Sequence, residues 1–407
     1  MVLVAWGQTS PSPTPANTAG DEGSAASKIG RLHDRIRRAK VRESLYERLD
    51  TSYLNYLAWK TRVEHETHID FSLDVSLLEQ WGFPRGGSPS LQIYAAPSID
   101  WTVFHSRDWG TGSVQIAYSY IPQYPTRQDA ADITSNLGLV TAINDSPGKF
   151  VTFSQLTYTQ ATPDNRWLFT VGQYPLWNFD SNDYLANQQE NFNTLILAQN
   201  GSATYLPSGW GSYVQFNTTK TVQLAAGLQA TNNPTGETLT TRGAGDNCCA
   251  WFVYAQWTPL FPGLAAAQYS LSYFDTPSIP TQASSRNWSL NAVQNLDKTW
   301  AVFGRANTVS GATNPIKASY AAGVAMNNPL RRAATDQVAV AVGYSVVAAL
   351  PVNPAGARDE KIIEAYWSWT FVGGLLVTPA VQVTFDPALN AGTTSVTVLS
   401  VRTTLMF

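Results

Sequence analysis

The fold is decided by the stretch Ile363-Glu-Ala-Tyr-Trp-Ser-Trp-Thr-Phe371. Side chains along an extended strand alternate between two faces. Ile363, Ala365, Trp367, Trp369 and Phe371 therefore share one face, and Glu364, Tyr366, Ser368 and Thr370 share the other. The rows on either side keep the same period. Val377, Val381, Val383 and Phe385 oppose Thr378, Gln382 and Thr384, and Leu399, Val401, Thr403, Leu405 and Phe407 oppose Ser400, Arg402, Thr404 and Met406. Val338, Val340, Val342 and Tyr344 form one row, and Ala267, Tyr269, Leu271 and Tyr273 another. Further rows are Trp251 to Trp257, Val222 to Ala230, Val114 to Tyr120 and Ile69 to Leu77. About sixteen rows recur, separated by turn signals such as Asn327-Asn-Pro and Asp386-Pro.

Two architectures produce such alternation. A β-sandwich turns its apolar face inward and carries Lys and Glu outside, whereas a transmembrane barrel turns its apolar face to lipid and lines its lumen with polar groups. Here the polar faces are mostly Ser, Thr, Gln and Asn, and many rows end in Trp, Tyr or Phe, as an interfacial girdle requires. Residues 51–407 allow about 22 residues per strand, which suits spans of ~10 residues joined by short turns and longer loops. The predicted fold is all-β, an antiparallel transmembrane barrel of about sixteen strands with a short N-terminal helical extension.

Composition agrees. Only 14% of the 407 residues are charged, against 44% hydrophobic and 12% aromatic, where soluble domains carry about 25% charge. No stretch approaches the ~18 consecutive apolar residues of a spanning helix. The net charge of −3 argues against a nucleic-acid surface. Cys248 and Cys249 are adjacent, so they can close only a strained vicinal ring and build no disulfide framework.

The amino-terminal region has a different composition. Residues 1–7 read as a signal-peptide remnant and 8–27, rich in Ser, Pro, Thr, Ala and Gly, as a flexible linker. Residues 28–50 hold eight of the 26 basic residues, with Ile29, Leu32 and Ile36 in one stripe. This predicts a basic amphipathic helix on the periplasmic side, either solvated or one that contacts an anionic, periplasmic or envelope partner, folds into the barrel mouth or self-associates. The barrel is expected over 51–407.

The order of motifs resembles the OprB-type carbohydrate-selective porin family of bacterial outer membranes. Phe169-Thr-Val-Gly-Gln-Tyr-Pro-Leu-Trp-Asn-Phe-Asp180 is similar to that family's strand, Val-Gly-Lys and Phe-Asp segment, with Gln173 in place of the common Lys. Asn191-Phe-Asn-Thr, Pro207-Ser-Gly-Trp-Gly-Ser, Ala301-Val-Phe-Gly-Arg-Ala, Asp336-Gln-Val-Ala-Val-Ala-Val-Gly-Tyr and Thr378-Pro-Ala-Val-Gln-Val follow in family order. The terminal Leu399-Ser-Val-Arg-Thr-Thr-Leu-Met-Phe407 is similar to a barrel-closing strand whose final aromatic is read by the assembly machinery. The resemblance covers about residues 51–407 and implies passive, downhill passage of small carbohydrates, in a protein embedded in outer-membrane lipid and lipopolysaccharide. It does not choose between monomer and homotrimer.

No catalytic set competes. The sequence has no Gly-x-Ser-x-Gly elbow, phosphate loop or dinucleotide fingerprint, so neither enzyme activity nor a cofactor is expected. His65 and His68, in Glu-His-Glu-Thr-His, lack metalloprotease spacing and on a strand would point to opposite faces, so no metal is expected.

A sugar pore needs a wet constriction with hydrogen-bonding and aromatic wall groups. The polar stretch after Gln173 supplies Trp177, Asp180, Tyr184, Asn187 and Glu190, as either an inward-folded or an exterior loop. Arg166, Arg305 and Arg402 read as wall charges, and Trp109 as a pore aromatic or a girdle residue. The rival expectations are a non-conducting or gated barrel serving exopolysaccharide export or partner binding, and a soluble all-β binding protein.

Overall fold

The computed structural model describes residues 47–122, 127–205, 208–231, 233, 239, 249–279, 283–311, 314–333, 335–349 and 357–407. Among them the chain forms an N-terminal helix, then sixteen antiparallel strands closed into a barrel, with two shorter helices, Ala130–Leu137 and Leu195–Ala198, in the connections. The N-terminal helix is α1 (Glu47–Thr67). The first eight strands are β1 (Ile69–Phe83), β2 (Ser90–Ser106), β3 (Gly110–Ile121), β4 (Phe150–Ala161), β5 (Trp167–Tyr174), β6 (Gly209–Asn217), β7 (Val222–Ala230) and β8 (Cys249–Trp257). The second eight are β9 (Ala267–Thr276), β10 (Ser285–Asn295), β11 (Trp300–Ser310), β12 (Ile316–Asn327), β13 (Gln337–Val347), β14 (Glu360–Val372), β15 (Leu375–Phe385) and β16 (Ser395–Met406). Each strand pairs with its sequence neighbours, and β1 closes on β16 from Asp74 opposite Met406 to Phe83 opposite Thr397. Closure leaves no unpaired edge, the condition for spanning lipid with strands.

The alternation seen in the sequence becomes an inverted barrel. On β10, Leu290 is 51% exposed on the outer face while Ser289 and Asn291 on the lumen face are at most 1% exposed. The same pattern holds on β16, where Leu399, Val401 and Leu405 face out and Ser400, Arg402 and Thr404 face in. Exposed Trp167, Trp257 and Trp300 stand at strand termini toward one rim, and Trp210, Trp251 and Trp288 toward the other.

The rims differ. At one, the turn rim, connections are mostly short, such as 107–109, 162–166, 218–221, 296–299 and 373–374. These turns satisfy themselves: Asp297 accepts from the N–H groups of Trp300 (2.7 Å) and Thr299 (2.6 Å), which hold its carboxyl below the usual range. At the other, the loop rim, connections are longer, and the described parts of two of them, 127–149 and 175–205, turn into the lumen.

The barrel begins at Ile69, not at residue 51, because α1 continues to Thr67. Asp50, Tyr53 and Lys60 are buried at helical spacing with Leu57 half-buried, and Leu49, Leu54 and Trp59 stay exposed. That face docks on the turn rim. Tyr53 packs on Leu376 and Met406, and Asp50 accepts from the Gly373 N–H at 2.6 Å. A Cβ on Gly373 would fall 2.6 Å from the Tyr53 ring, so glycine there is what lets the helix dock. His65 lies on α1, and His68, with φ 58°, ends it, so neither belongs to a strand. The readings of residues 1–7, 8–27 and nearly all of the 28–50 helix, like Cys248, lie outside the described residues. Cys249, at the start of β8, is disulfide-bonded.

Candidate functional site

The loop between β5 and β6, described over 175–205, crosses the lumen. It starts with Tyr174, whose hydroxyl donates to the Leu228 carbonyl at 2.6 Å, and with a 3₁₀ turn at Leu176–Phe179. Phe179 packs on Phe252 with ring centroids 4.3 Å apart and meets Tyr213 edge-on at 5.1 Å. The chain then passes to the opposite wall. There Tyr184 stacks on Phe303 at 5.0 Å, Phe192 meets Tyr366 edge-on at 4.8 Å, and Ile196 and Leu197 join the same apolar cluster. The wall makes room with small lumen-facing residues, Ala321, Ala325, Ala339 and Ala341. Gly343 continues this pattern, because a Cβ there would meet Ile196 at 2.6 Å. Further along the wall, the Gln189 amide donates to Ser76 Oγ and the Tyr94 carbonyl, both at 3.2 Å.

The loop has little regular structure, so its buried backbone groups need partners elsewhere. Inward-facing charges of the wall supply several. Glu364 accepts from the N–H groups of Asn193 (2.7 Å) and Thr194 (2.9 Å). Arg402 Nη1 donates to the carbonyls of Asn191 (2.9 Å) and Gln188 and to Asn193 Oδ1 (3.1 Å). Arg305 donates to the Leu185 carbonyl and to Asn291 Oδ1 (2.9 Å). The second inward segment is held alike: Glu360 accepts from Val140 and Thr141 N–H, both at 2.8 Å, and from Ala388 N–H at 3.0 Å.

Among the described residues the two inward segments bound a cavity of about 340 Å³. Trp177, Asp180, Asn187 and Tyr205 line it from the loop, Tyr94 from β2, and Asp145 from the 127–149 segment. Trp177 lies 6.2 Å from the ring of Phe150, so one side of the cavity is aromatic. Asp180 is 1% exposed, and its carboxylate accepts from Asn200 (2.6 Å), Tyr205 (3.3 Å), Asn291 (3.1 Å) and Ser289.

The eight sequence-derived site residues divide into three groups. Trp177, Asp180 and Asn187 line the cavity. Tyr184, Glu190 and Arg305 serve the loop's own architecture: the Tyr184 hydroxyl bonds Asn295 at 3.2 Å, and Glu190 accepts from Asn187 at 3.4 Å. Arg166 and Trp109 both sit in turn-rim connections, at the end of the barrel away from the loop, which removes them from the cavity and leaves Trp109 with the girdle alternative. Trp109 is 76% exposed, and Arg166 lies over the outward ring of Phe216 at 5.4 Å. Alternation marked the neighbouring strands but could not say which rim each turn occupied. Tyr94, Asp145 and Tyr205 escaped the sequence reading, because distant segments bring them together. Glu364 had a visible signal, an acid on the polar face of a strand. Gln173 is fully buried and donates to the Phe153 carbonyl at 3.0 Å, so it serves the wall. Among the described residues no group of three His, Cys, Asp or Glu side chains is placed to hold a metal.

An apolar-outside, polar-inside barrel with a loop folded across its lumen defines a porin-type channel of the outer membrane. The family described as "Carbohydrate-selective porin, OprB family" matches residues 126–407, and the chain belongs to that family. Porin AaxA of Chlamydia abortus is 31% identical over 350 residues, covering 84% of this chain and 78% of that protein. Porin AaxA of Chlamydia trachomatis serovar L2 is 28% identical over 419 residues, covering 97% and 90%. In structure the barrel is similar to OprB of Pseudomonas putida at high pH, with TM-score 0.70, 16% identity, and coverage of 87% of this chain and 97% of that one. It also resembles an anion-selective porin of Comamonas acidovorans, with TM-score 0.53, 11% identity, and coverage of 83% and 99%.

Proposed function

We propose that this porin is a passive diffusion pore biased toward small carbohydrates, and that the loop-bounded cavity is the narrow part of its path. The observation that carries the reading is the make-up of the cavity. Sugars offer hydroxyls to carboxylates, amides and phenols, and an apolar C–H face to aromatic rings. Asp145, Asn187 and Tyr205, each half-buried, supply the first, with Asp180 behind Tyr205 accepting from its hydroxyl, and Trp177 beside Phe150 supplies the second. A volume of about 340 Å³ falls at the small end of small-molecule sites. Membership of a carbohydrate-selective family supports the same substrate class. The short turns and α1 face the periplasm in this reading, because outer-membrane barrels place short turns there and long loops outside.

Liposome swelling tests it. Vesicles containing the purified protein are expected to swell faster in glucose, maltose and short oligosaccharides than empty vesicles, with rates falling as sugar size rises. Rates equal to those of empty vesicles overturn the reading.

A further inference from the structure

Two charged residues of the barrel wall, Glu364 and Arg402, are turned toward the chain itself and not toward the cavity. Glu364 and Arg402 are 0% and 1% exposed, and neither borders the cavity. Both reach the same short piece of the inward loop, Gln188 to Thr194. The two carboxylate oxygens of Glu364 hold two consecutive N–H groups, of Asn193 and Thr194. One guanidinium nitrogen of Arg402 holds the carbonyls of Gln188 and Asn191. Asn193 adds side-chain bonds to Arg402 and, through Nδ2, to Ser400 Oγ at 3.0 Å. Hydrogen bonds to charged groups are roughly twice as strong as neutral ones, and removing one partner leaves a buried group unsatisfied. Glu360 lies four residues before Glu364 on the same face of β14 and grips the other inward segment at Val140 and Thr141. A single strand thus fastens both segments that bound the cavity.

We propose that Glu364 and Arg402 are positioning residues for permeation: by clamping Gln188–Thr194 to the wall they set the bore of the pore and its size cut-off. The proposal rests on the diffusion-pore reading and deepens it, assigning selectivity by size to residues that touch no solute. Glu364 supplies acceptors to loop N–H groups that otherwise have none in a segment without regular structure. Arg402 supplies the complementary donors, so the strip is held at both polarities.

The test is single-channel conductance in salt, joined to liposome swelling with sugars of increasing length. Glu364→Ala and Arg402→Met are expected to raise conductance roughly twofold or more and to admit longer oligosaccharides, because the narrowest section sets both. Glu364→Gln, which keeps one acceptor, and Arg402→Lys, which keeps a cation, should fall between these and the parent. That graded rescue would not follow from a role confined to barrel folding. Asn193→Ala acts from the loop side and leaves the wall intact, so it reports even where a wall variant fails to insert. Heat-modifiable gel mobility checks that each barrel is folded. Folded variants with parental or lower conductance and an unchanged cut-off overturn the proposal while the diffusion-pore reading stands. A parent that neither conducts nor admits sugar overturns both.

Discussion

The barrel wall and the loop inside it obey opposite burial rules. Along the wall, apolar residues such as Leu290, Val342 and Leu399 are exposed on the outer face, and polar ones are buried. Along 175–205 the apolar residues Leu185, Phe192 and Leu197 are fully buried, as in a soluble core. The wall answers to lipid and the loop to the lumen wall. Between them they create a small hydrophobic core inside a barrel that is otherwise polar within. A lumen therefore need not be polar wherever it is internal, and where a loop docks, the wall changes to alanine, phenylalanine and tyrosine.

The sharpest way to break this comparison is to remove the loop. Replacing residues 178–203 with a short turn is expected to leave the sixteen strands paired and to raise conductance roughly fivefold, with loss of sugar bias, because the constriction alone sets passage. Planar-bilayer recording and swelling measure both, and a parental conductance would refute the loop's role.

The wall side can be challenged at Leu290, in the middle of β10 on the outer face. Leu290→Arg should cost ~2–4 kcal/mol of stability in lipid, read by urea titration in vesicles. A neutral result would mean that this face does not meet lipid.

Docking is tested at Gly343. Gly343→Leu should displace Ile196 and cost roughly 1–3 kcal/mol, with noisier single-channel currents as the loop loosens. Quiet currents would show that the loop does not need this close approach.

Trp177→Ala is expected to slow sugar influx several-fold while leaving ionic conductance near the parent's, since it removes a ring and not a charge. An equal change in both would mean that the ring acts on width alone. The smallest effects are expected from Trp109→Ala and Arg166→Ala, which should leave swelling rates unchanged. A marked loss in either would put the turn rim back into the solute path.

Much of this was legible beforehand, and unevenly so. Ile363 to Phe371 and Leu399 to Phe407 announced their strands, because a lipid-facing side imposes a strict period of two. The cavity was legible only in part. Trp177, Asp180 and Asn187 stood out as polar and aromatic residues in one long connection. Arg305, on a strand, looked like a pore charge and proved to hold a carbonyl. The barrel's start was placed too early, because the helical spacing of Asp50, Tyr53, Leu57 and Lys60 ran on past the basic segment where the helix had been expected to end.

Local alternation by itself determined the inverted strands, their approximate number and the class of protein, since lipid acts on each residue of a strand separately. Tertiary structure decided which rim each turn occupies, that residues 175–205 fold inward, and that Glu364 and Arg402 face the loop. Those outcomes depend on closing the chain on itself, which brings positions about 170 and 210 residues apart within hydrogen-bonding distance, and no local pattern records that distance.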